Sequence, residues 1–221
     1  MRKIKIILFI LLILGIFAGS FYTADDLIDF TQQRTNLNLV AHSPGEGIST
    51  YLKVSFILGS LISLPFLLFL LLSYIKPALY DNEKKTLVQI TNIIKLSIGL
   101  FMAGVTFGIV VIFDYILPYL SRFNSGLGYQ LLYTADTALM FIIMSIIYSG
   151  IVFQTPIINY HLLKYKIIKI ENIKTTRIFV ILGAIIIGAI ITPPDALSQI
   201  IFGLPIYILF EISNITWRLK Q

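Results

Sequence analysis

Apolar residues run through this chain in long blocks separated by short polar intervals, and windows of about nineteen residues resolve six of them. The blocks cover residues 4–22, 54–74, 87–115, 137–160, 178–191 and 200–212. Each predicts a membrane-crossing helix, so the pattern alone gives an all-α, polytopic membrane protein whose residues 1–221 read as one membrane domain. The last two blocks are short, about fourteen residues each, and are joined by Thr192-Pro193-Pro194-Asp195. At 1.5 Å per helical residue each supplies roughly 21 Å of apolar length against a hydrocarbon core of about 30 Å. Lys174 and Arg177 before this pair, with Arg218 and Lys220 after it, are placed to snorkel. The expectation is a bilayer thinned around helices 5 and 6.

Polar residues inside the blocks need partners. Gln154 lies in the fourth block, where lipid offers its amide no hydrogen bond, so it faces protein or a water-filled cavity. A bond between helices and a functional role both fit it. Pro156, two residues on, frees a backbone carbonyl and is expected to bend the helix, and Pro65 does the same in the second block. Two bent and two short helices favour a concave bundle. Gly15-x-x-x-Gly19 and Gly104-x-x-x-Gly108 have the spacing of close helix contacts, a spacing also common in membrane helices that make none. In the polar interval after the first block, Ala24-Asp25-Asp26-Leu27-Ile28-Asp29-Phe30 reads as the acidic start of a separate short helix. Tyr22, Tyr74, Tyr115, Tyr119, Tyr160 and Tyr165 fall near block ends, as an interfacial aromatic belt requires.

Composition narrows the chemistry. Hydrophobic residues make up 57% of the chain and charged residues 13%, a balance foreign to soluble domains of this size. Cysteine is absent, which excludes disulfides and thiolate sites, and His42 and His161 read as solvated loop residues without a second ligand at metal spacing. No nucleotide-binding loop, His-Glu-x-x-His or Gly-x-Ser-x-Gly elbow occurs, so neither an enzyme, a cofactor nor a metal is expected. The net charge of +6 is spread over loops rather than gathered in a stripe, which points to topology and not to nucleic acid. Fourteen of the seventeen basic residues lie on one side if the amino terminus is cytoplasmic, leaving Arg34, Lys53 and Arg122 opposite. The positive-inside rule then puts both termini in the cytoplasm. Residues 1–5, 6–16 and 17–20 also have the layout of a cleavable signal, but the length of the first apolar run favours a retained helix.

Glu83, within Pro77-Ala78-Leu79-Tyr80-Asp81-Asn82-Glu83-Lys84-Lys85, sits in the first cytoplasmic loop. By itself it reads either as a solvated carboxylate or as a receptor for a cationic ligand at the membrane surface. A carboxylate there holds a guanidinium through a bidentate pair that lysine cannot reproduce.

Several of these stretches together resemble the TatC family of the twin-arginine, Sec-independent protein translocase. The most specific is Ile191-Thr192-Pro193-Pro194-Asp195-Ala196-Leu197-Ser198-Gln199 followed by Leu204-Pro205 and Leu209-Phe210-Glu211, similar to the family's TPPD-x-x-SQ, P and LFE pattern. Leu64-Pro65-Phe66, Pro77-Ala78-Leu79-Tyr80 with Glu83, Phe153-Gln154-Thr155-Pro156, Ser43-Pro44-Gly45-Glu46 and Arg177 follow the family in order. The resemblance implies a six-helix, glove-shaped receptor that binds twin-arginine signal peptides of folded precursor proteins. It implies partnership with the single-span subunits TatA and often TatB, assembly of several copies, a prokaryotic plasma membrane or an organellar inner membrane, and transport driven by the protonmotive force. Glu83 matches the glutamate that reads the arginine pair, and Lys3, Lys5, Tyr74, Leu79 and Lys84 complete the implied signal-peptide set.

The chain also departs from the pattern. Of the family's H-L-x-E-L-R-x-R segment only the end is matched, with Lys3 and Lys5 at the arginine positions. Lys84 replaces an arginine and loses its fork, Gln154 replaces a frequent glutamate and cannot titrate, and Asp114 stands at a frequent proline. The rival reading is a small-solute transporter or channel whose pathway passes Gln154, which calls for more buried ionisable groups or broken helices at the bilayer midplane.

Overall fold

The structure is a computed structural model that describes residues 2–35, 39–40, 43–75, 81–126, 133–168, 173–191 and 196–219. It is almost entirely helical. The helices are α1 (Arg2–Thr35), α2 (Glu46–Ile75), α3 (Asp81–Val110), α4 (Leu117–Gly126), α5 (Ala135–Val152), α6 (Thr155–Lys164), α7 (Ile173–Ile191) and α8 (Ala196–Arg218). Two-residue strands β1 (Leu39–Val40) and β2 (Tyr133–Thr134) pair in parallel. Among the described residues, five stretches are long and apolar enough to cross a membrane: Leu11–Thr31, Glu46–Leu67, Leu87–Phe123, Ala135–Lys164 and Ser198–Arg218. α7 adds the apolar run of residues 178–191.

The helices outrun the apolar blocks wherever no breaker intervenes. α1 does not stop at the first polar interval: residues 23–35 contain neither proline nor glycine, so the acidic stretch after Ala24 continues the helix instead of capping a new one. α7 and α8 have 19 and 23 residues, about 28 and 34 Å of helix, because polar turns extend both short apolar runs. Glu83 and Lys84, read as loop residues, belong to the first turn of α3, where the positive end of the helix dipole favours the acidic run from Asp81. His161 is likewise helical, half-buried in α6 with Nδ1 2.8 Å from the Ile157 carbonyl, because that helix runs on past residue 160.

Pro65 sits inside an unbroken α2. Pro156 marks a true break: α5 ends at Val152 and α6 begins at Thr155 with the proline in its first turn, where the missing N–H is harmless. Ahead of Pro118, residues Val111–Ile116 form a π-helical turn, with the Leu117 N–H donating to the Ile112 carbonyl. A proline deprives the preceding turn of a hydrogen bond, and the wider register accommodates that loss. Asp114, at the departure from the family pattern, lies in this turn with its side chain exposed.

The chain divides into two compact units. The first comprises residues 1–92 and 118–140. Here α1 packs on α2: the Ser20 hydroxyl donates to the Ser55 carbonyl at 2.8 Å, the Tyr51 hydroxyl to the Phe21 carbonyl, and Phe17 meets Phe56 with ring centroids 5.6 Å apart. Ser20, at the cleavage-like position, is thus buried in a helix pair. Asp136 accepts from Lys53 Nζ at 2.9 and 3.0 Å and from Thr50 at 3.1 Å. With the pairing of Leu39 to Tyr133 and Val40 to Thr134, these bonds tie the connection before α2 to that before α5.

The second unit comprises residues 93–117 and 141–221. Glycine decides how α3 meets α5. A Cβ at Gly104 would lie 2.5 Å from the Ser149 carbonyl oxygen, and one at Gly108 would lie 2.8 Å from the Ser149 hydroxyl. Of the two glycine pairs in the sequence this one makes a close crossing, whereas Gly15 and Gly19 have nothing within 4 Å. Replacing Gly104 with leucine is expected to destabilise the purified protein by about 1–3 kcal/mol through overpacking. Gly15→Leu should leave it unchanged, as thermal unfolding in detergent would show.

Candidate functional site

Three sets of residues carry the chemistry expected from the sequence, and the structure treats them differently. In the signal-peptide set, Lys3 and Lys5 lie on α1, Tyr74 on the last turn of α2, and Glu83 and Lys84 on the first turn of α3; their side chains lie outside the described residues, as do Pro77 and Leu79. The backbone therefore places Glu83 at a helix start directly after the Pro77-Ala78-Leu79-Tyr80 connection.

Gln154 is fully described. The chain tightens here, with the Gln154 N–H donating to the Ile151 carbonyl at 2.9 Å. The Gln154 side chain takes up what the backbone leaves: Nε2 donates to the Ser97 carbonyl at 3.1 Å and reaches the Gly150 carbonyl at 3.4 Å, while Oε1 accepts from the Ser97 hydroxyl at 2.6 Å. The Thr155 hydroxyl donates at 2.6 Å to the Val152 carbonyl that Pro156 cannot serve. The amide joins α3 to the α5–α6 break. Of the two readings of Gln154, the hydrogen bond between helices is the one observed. Its partner Ser97 went unnoticed in the sequence, because a single serine in an apolar helix usually bonds its own preceding turn.

The third set holds α7 against α8. Arg177 and Glu211 form a bidentate pair, Nε to Oε1 at 2.5 Å and Nη2 to Oε2 at 2.9 Å. Hydrogen bonding to this carboxylate, and then its charge, raise the proton affinity of the guanidinium, which lies just outside the apolar run. At the other end Gln199 donates to the Ile185 carbonyl at 2.9 Å. Pairing 177 with 211 and 185 with 199 makes the helices antiparallel. Small residues let them close: a Cβ at Gly188 would lie 2.7 Å from the Gln199 carbonyl oxygen, and one at Gly203 would lie 3.2 Å from that of Ala184. Thus Gln199 and Glu211 of the signature motif, with Arg177, are structural ties. Pro193, Pro194 and Asp195 lie outside the described residues.

A further seam, not anticipated from sequence, links α6 to α8. The Ser213 hydroxyl donates to the Pro156 carbonyl at 3.1 Å, Asn159 Nδ2 donates to Asn214 Oδ1 at 2.8 Å, and Tyr160 meets Trp217 edge-on at 5.3 Å. Among the described residues no group of three or more histidines and carboxylates is placed to hold a metal.

Known proteins are similar to this chain in both sequence and fold. The family model described as Sec-independent protein translocase protein (TatC) matches residues 1–205. The Sec-independent protein translocase protein TatC of Helicobacter pylori strain J99 is 31% identical over 201 residues, covering 91% of this chain and 79% of the relative. TatCy of Bacillus subtilis strain 168 is 27% identical over 200 residues, covering 89% and 78%. A crystal structure of the twin-arginine translocase receptor TatC superimposes with a TM-score of 0.69 at 28% identity, covering 99% of this chain and 96% of that one.

Gln154→Leu is expected to cost about 1–2 kcal/mol, since it removes bonds between helices and strands the Ser97 hydroxyl in an apolar seam. Thermal unfolding of the purified variant measures this; an unchanged midpoint would remove Gln154 from the packing account.

Proposed function

The chain belongs to the TatC family of Sec-independent protein translocase proteins, multi-pass integral membrane components of protein transport, and from that premise we propose that it is the subunit that receives twin-arginine signal peptides. The observation that carries the proposal is Glu83. It follows Pro77-Ala78-Leu79-Tyr80 in the family's order, and it occupies the first turn of α3. A carboxylate fixed at a helix start presents both oxygens to a planar guanidinium, and the bidentate pair selects arginine over lysine. Lys84 beside it keeps a positive charge without the fork. Tyr74 and Leu79 flank the carboxylate in sequence and supply apolar surface for the peptide's hydrophobic stretch. Lys3 and Lys5 stand where the family pattern has arginines and complete the site.

Docking takes place on the cytoplasmic side of a prokaryotic plasma membrane, with both termini on that side, an orientation supported by the distribution of basic residues. The chain also binds the apolar part of the signal, single-span TatA and TatB subunits assemble with several copies of the chain, and the protonmotive force drives folded precursors across. The protein acts by binding and conformational change, and no catalytic residue is assigned. The transporter alternative draws no support from Gln154, whose amide bonds Ser97 and reaches the Gly150 carbonyl.

A photoreactive twin-arginine peptide is expected to crosslink to the protein in membranes, and a twin-lysine peptide to do so at least about tenfold less well, the difference of one charge-assisted bidentate contact. Glu83→Gln should remove that preference while leaving insertion and abundance unchanged. Equal labelling by both peptides would overturn the assignment of Glu83.

A further inference from the structure

α6 closes in a turn that its own residues do not favour. Beyond Lys164, the Lys166 N–H donates to the Leu163 carbonyl at 3.0 Å and the Ile167 N–H to the Leu162 carbonyl at 2.9 Å. This double closure holds Lys166 at φ 58°, in the left-handed region where glycine is the usual occupant; among the described residues it is the one non-glycine residue with positive φ. In such turns an apolar residue after the left-handed position commonly packs back onto the helix. Ile167 occupies that place yet is 70% exposed, and Tyr165 on the other side of Lys166 is 66% exposed. Lys164 and Lys166 are exposed as well, and Lys164 Nζ lies 5.9 Å from the centre of the Tyr165 ring. The negative end of the helix dipole accounts for cations here. It does not account for two large apolar side chains left uncovered between them.

The level of the turn decides what meets it. The membrane-crossing stretch Ala135–Lys164 has 30 residues, about 45 Å of helix, which matches a bilayer of about 40–45 Å with its headgroups. One turn before its end, Tyr160 packs edge-on against Trp217, an aromatic pair suited to the boundary between lipid and water. The chain therefore leaves α6 within the headgroup layer, continuous with the surface that the helix has just crossed. We propose that Tyr165-Lys166-Ile167 is an interfacial anchor, with Tyr165 and Ile167 in the boundary between headgroups and acyl chains and with Lys164 and Lys166 on lipid phosphates. The left-handed residue reverses the chain at this level, so that Ile167 stays beside the bilayer instead of running on into water. A lipid surface sets phosphate directly over hydrocarbon, and lysines alternating with large apolar residues fit that order. Burial of Tyr165 and Ile167 there offsets the cost of a lysine held where glycine would be easier.

The sequence has no cysteine, so single spin labels can be placed without background. The full chain carrying Ile167→Cys or Lys166→Cys is labelled and reconstituted in vesicles of phosphatidylcholine and phosphatidylglycerol. Collisions with oxygen, which concentrates in lipid, are then compared with collisions with a water-soluble nickel chelate. The oxygen-to-nickel ratio is expected to be several-fold higher at position 167 than at position 166. Lys164→Gln combined with Lys166→Gln should lower the ratio at position 167 several-fold, because the turn loses its hold on phosphate. Equal ratios at the two positions, with nickel reaching both, would put the turn in water and overturn the proposal, as would a ratio at 167 that the double substitution leaves unchanged. Shielding of both labels from both reagents would place the turn against a protein chain and overturn the lipid assignment.

Discussion

Most of this molecule answers to one constraint: inside a bilayer no water is present to satisfy a peptide group or an amide, so such groups find their partners largely within the protein. Helices meet that demand along most of the chain. Where the sequence interrupts a helix, side chains supply the missing bonds. At residues 153–154 the chain tightens ahead of Pro156, and Gln154 and Thr155 close the gap with the carbonyls of Ser97, Gly150 and Val152. A family glutamate position occupied by glutamine is physically coherent here, because a neutral amide offers both the donor and the acceptor that this break requires.

The same constraint explains the pattern of helix contacts. Lipid competes for apolar side chains, so greasy surfaces alone give helices little reason to associate. Small residues and short polar bonds provide it instead: Gly104 and Gly108 against Ser149, Gly188 and Gly203 in the α7–α8 seam, and Ser213 with Asn159 and Asn214 between α6 and α8. The Arg177–Glu211 pair closes one end of the α7–α8 hairpin, and the Lys53–Asp136 pair ties α2 to the start of α5 in the other unit. The Arg177–Glu211 and Gln199–Ile185 bonds fix the α7–α8 hairpin in register at both ends.

Much of this was legible in the residues. Six apolar blocks, a disturbance of the helix at Pro156 and the interhelical bonding of Gln154 follow from patterns that lipid enforces strongly, although a bend was expected at Pro156 where the helix in fact breaks. The errors have a common origin. Residues 24–30 read as the start of a separate short helix, and Glu83 and His161 as loop, because their polarity ends the hydropathy signal, yet polarity does not end a helix when no proline or glycine stops it. The ambiguity of the glycine pairs was of another kind: Gly15/Gly19 and Gly104/Gly108 have the same spacing, and only the second meets a neighbouring backbone.

The amino-acid sequence by itself determined that the protein is a multi-pass membrane protein and to which translocase family it belongs, because burying unpaired polar groups in lipid costs several kcal/mol and leaves few alternatives. Tertiary structure alone decided the partners: Ser97 for Gln154, Glu211 for Arg177, Asn214 for Asn159, and one glycine pair over the other. Which residues meet depends on how helices rotate and cross. That is a property of long-range packing, on which a helix's own periodicity carries no information once nearly every face is apolar.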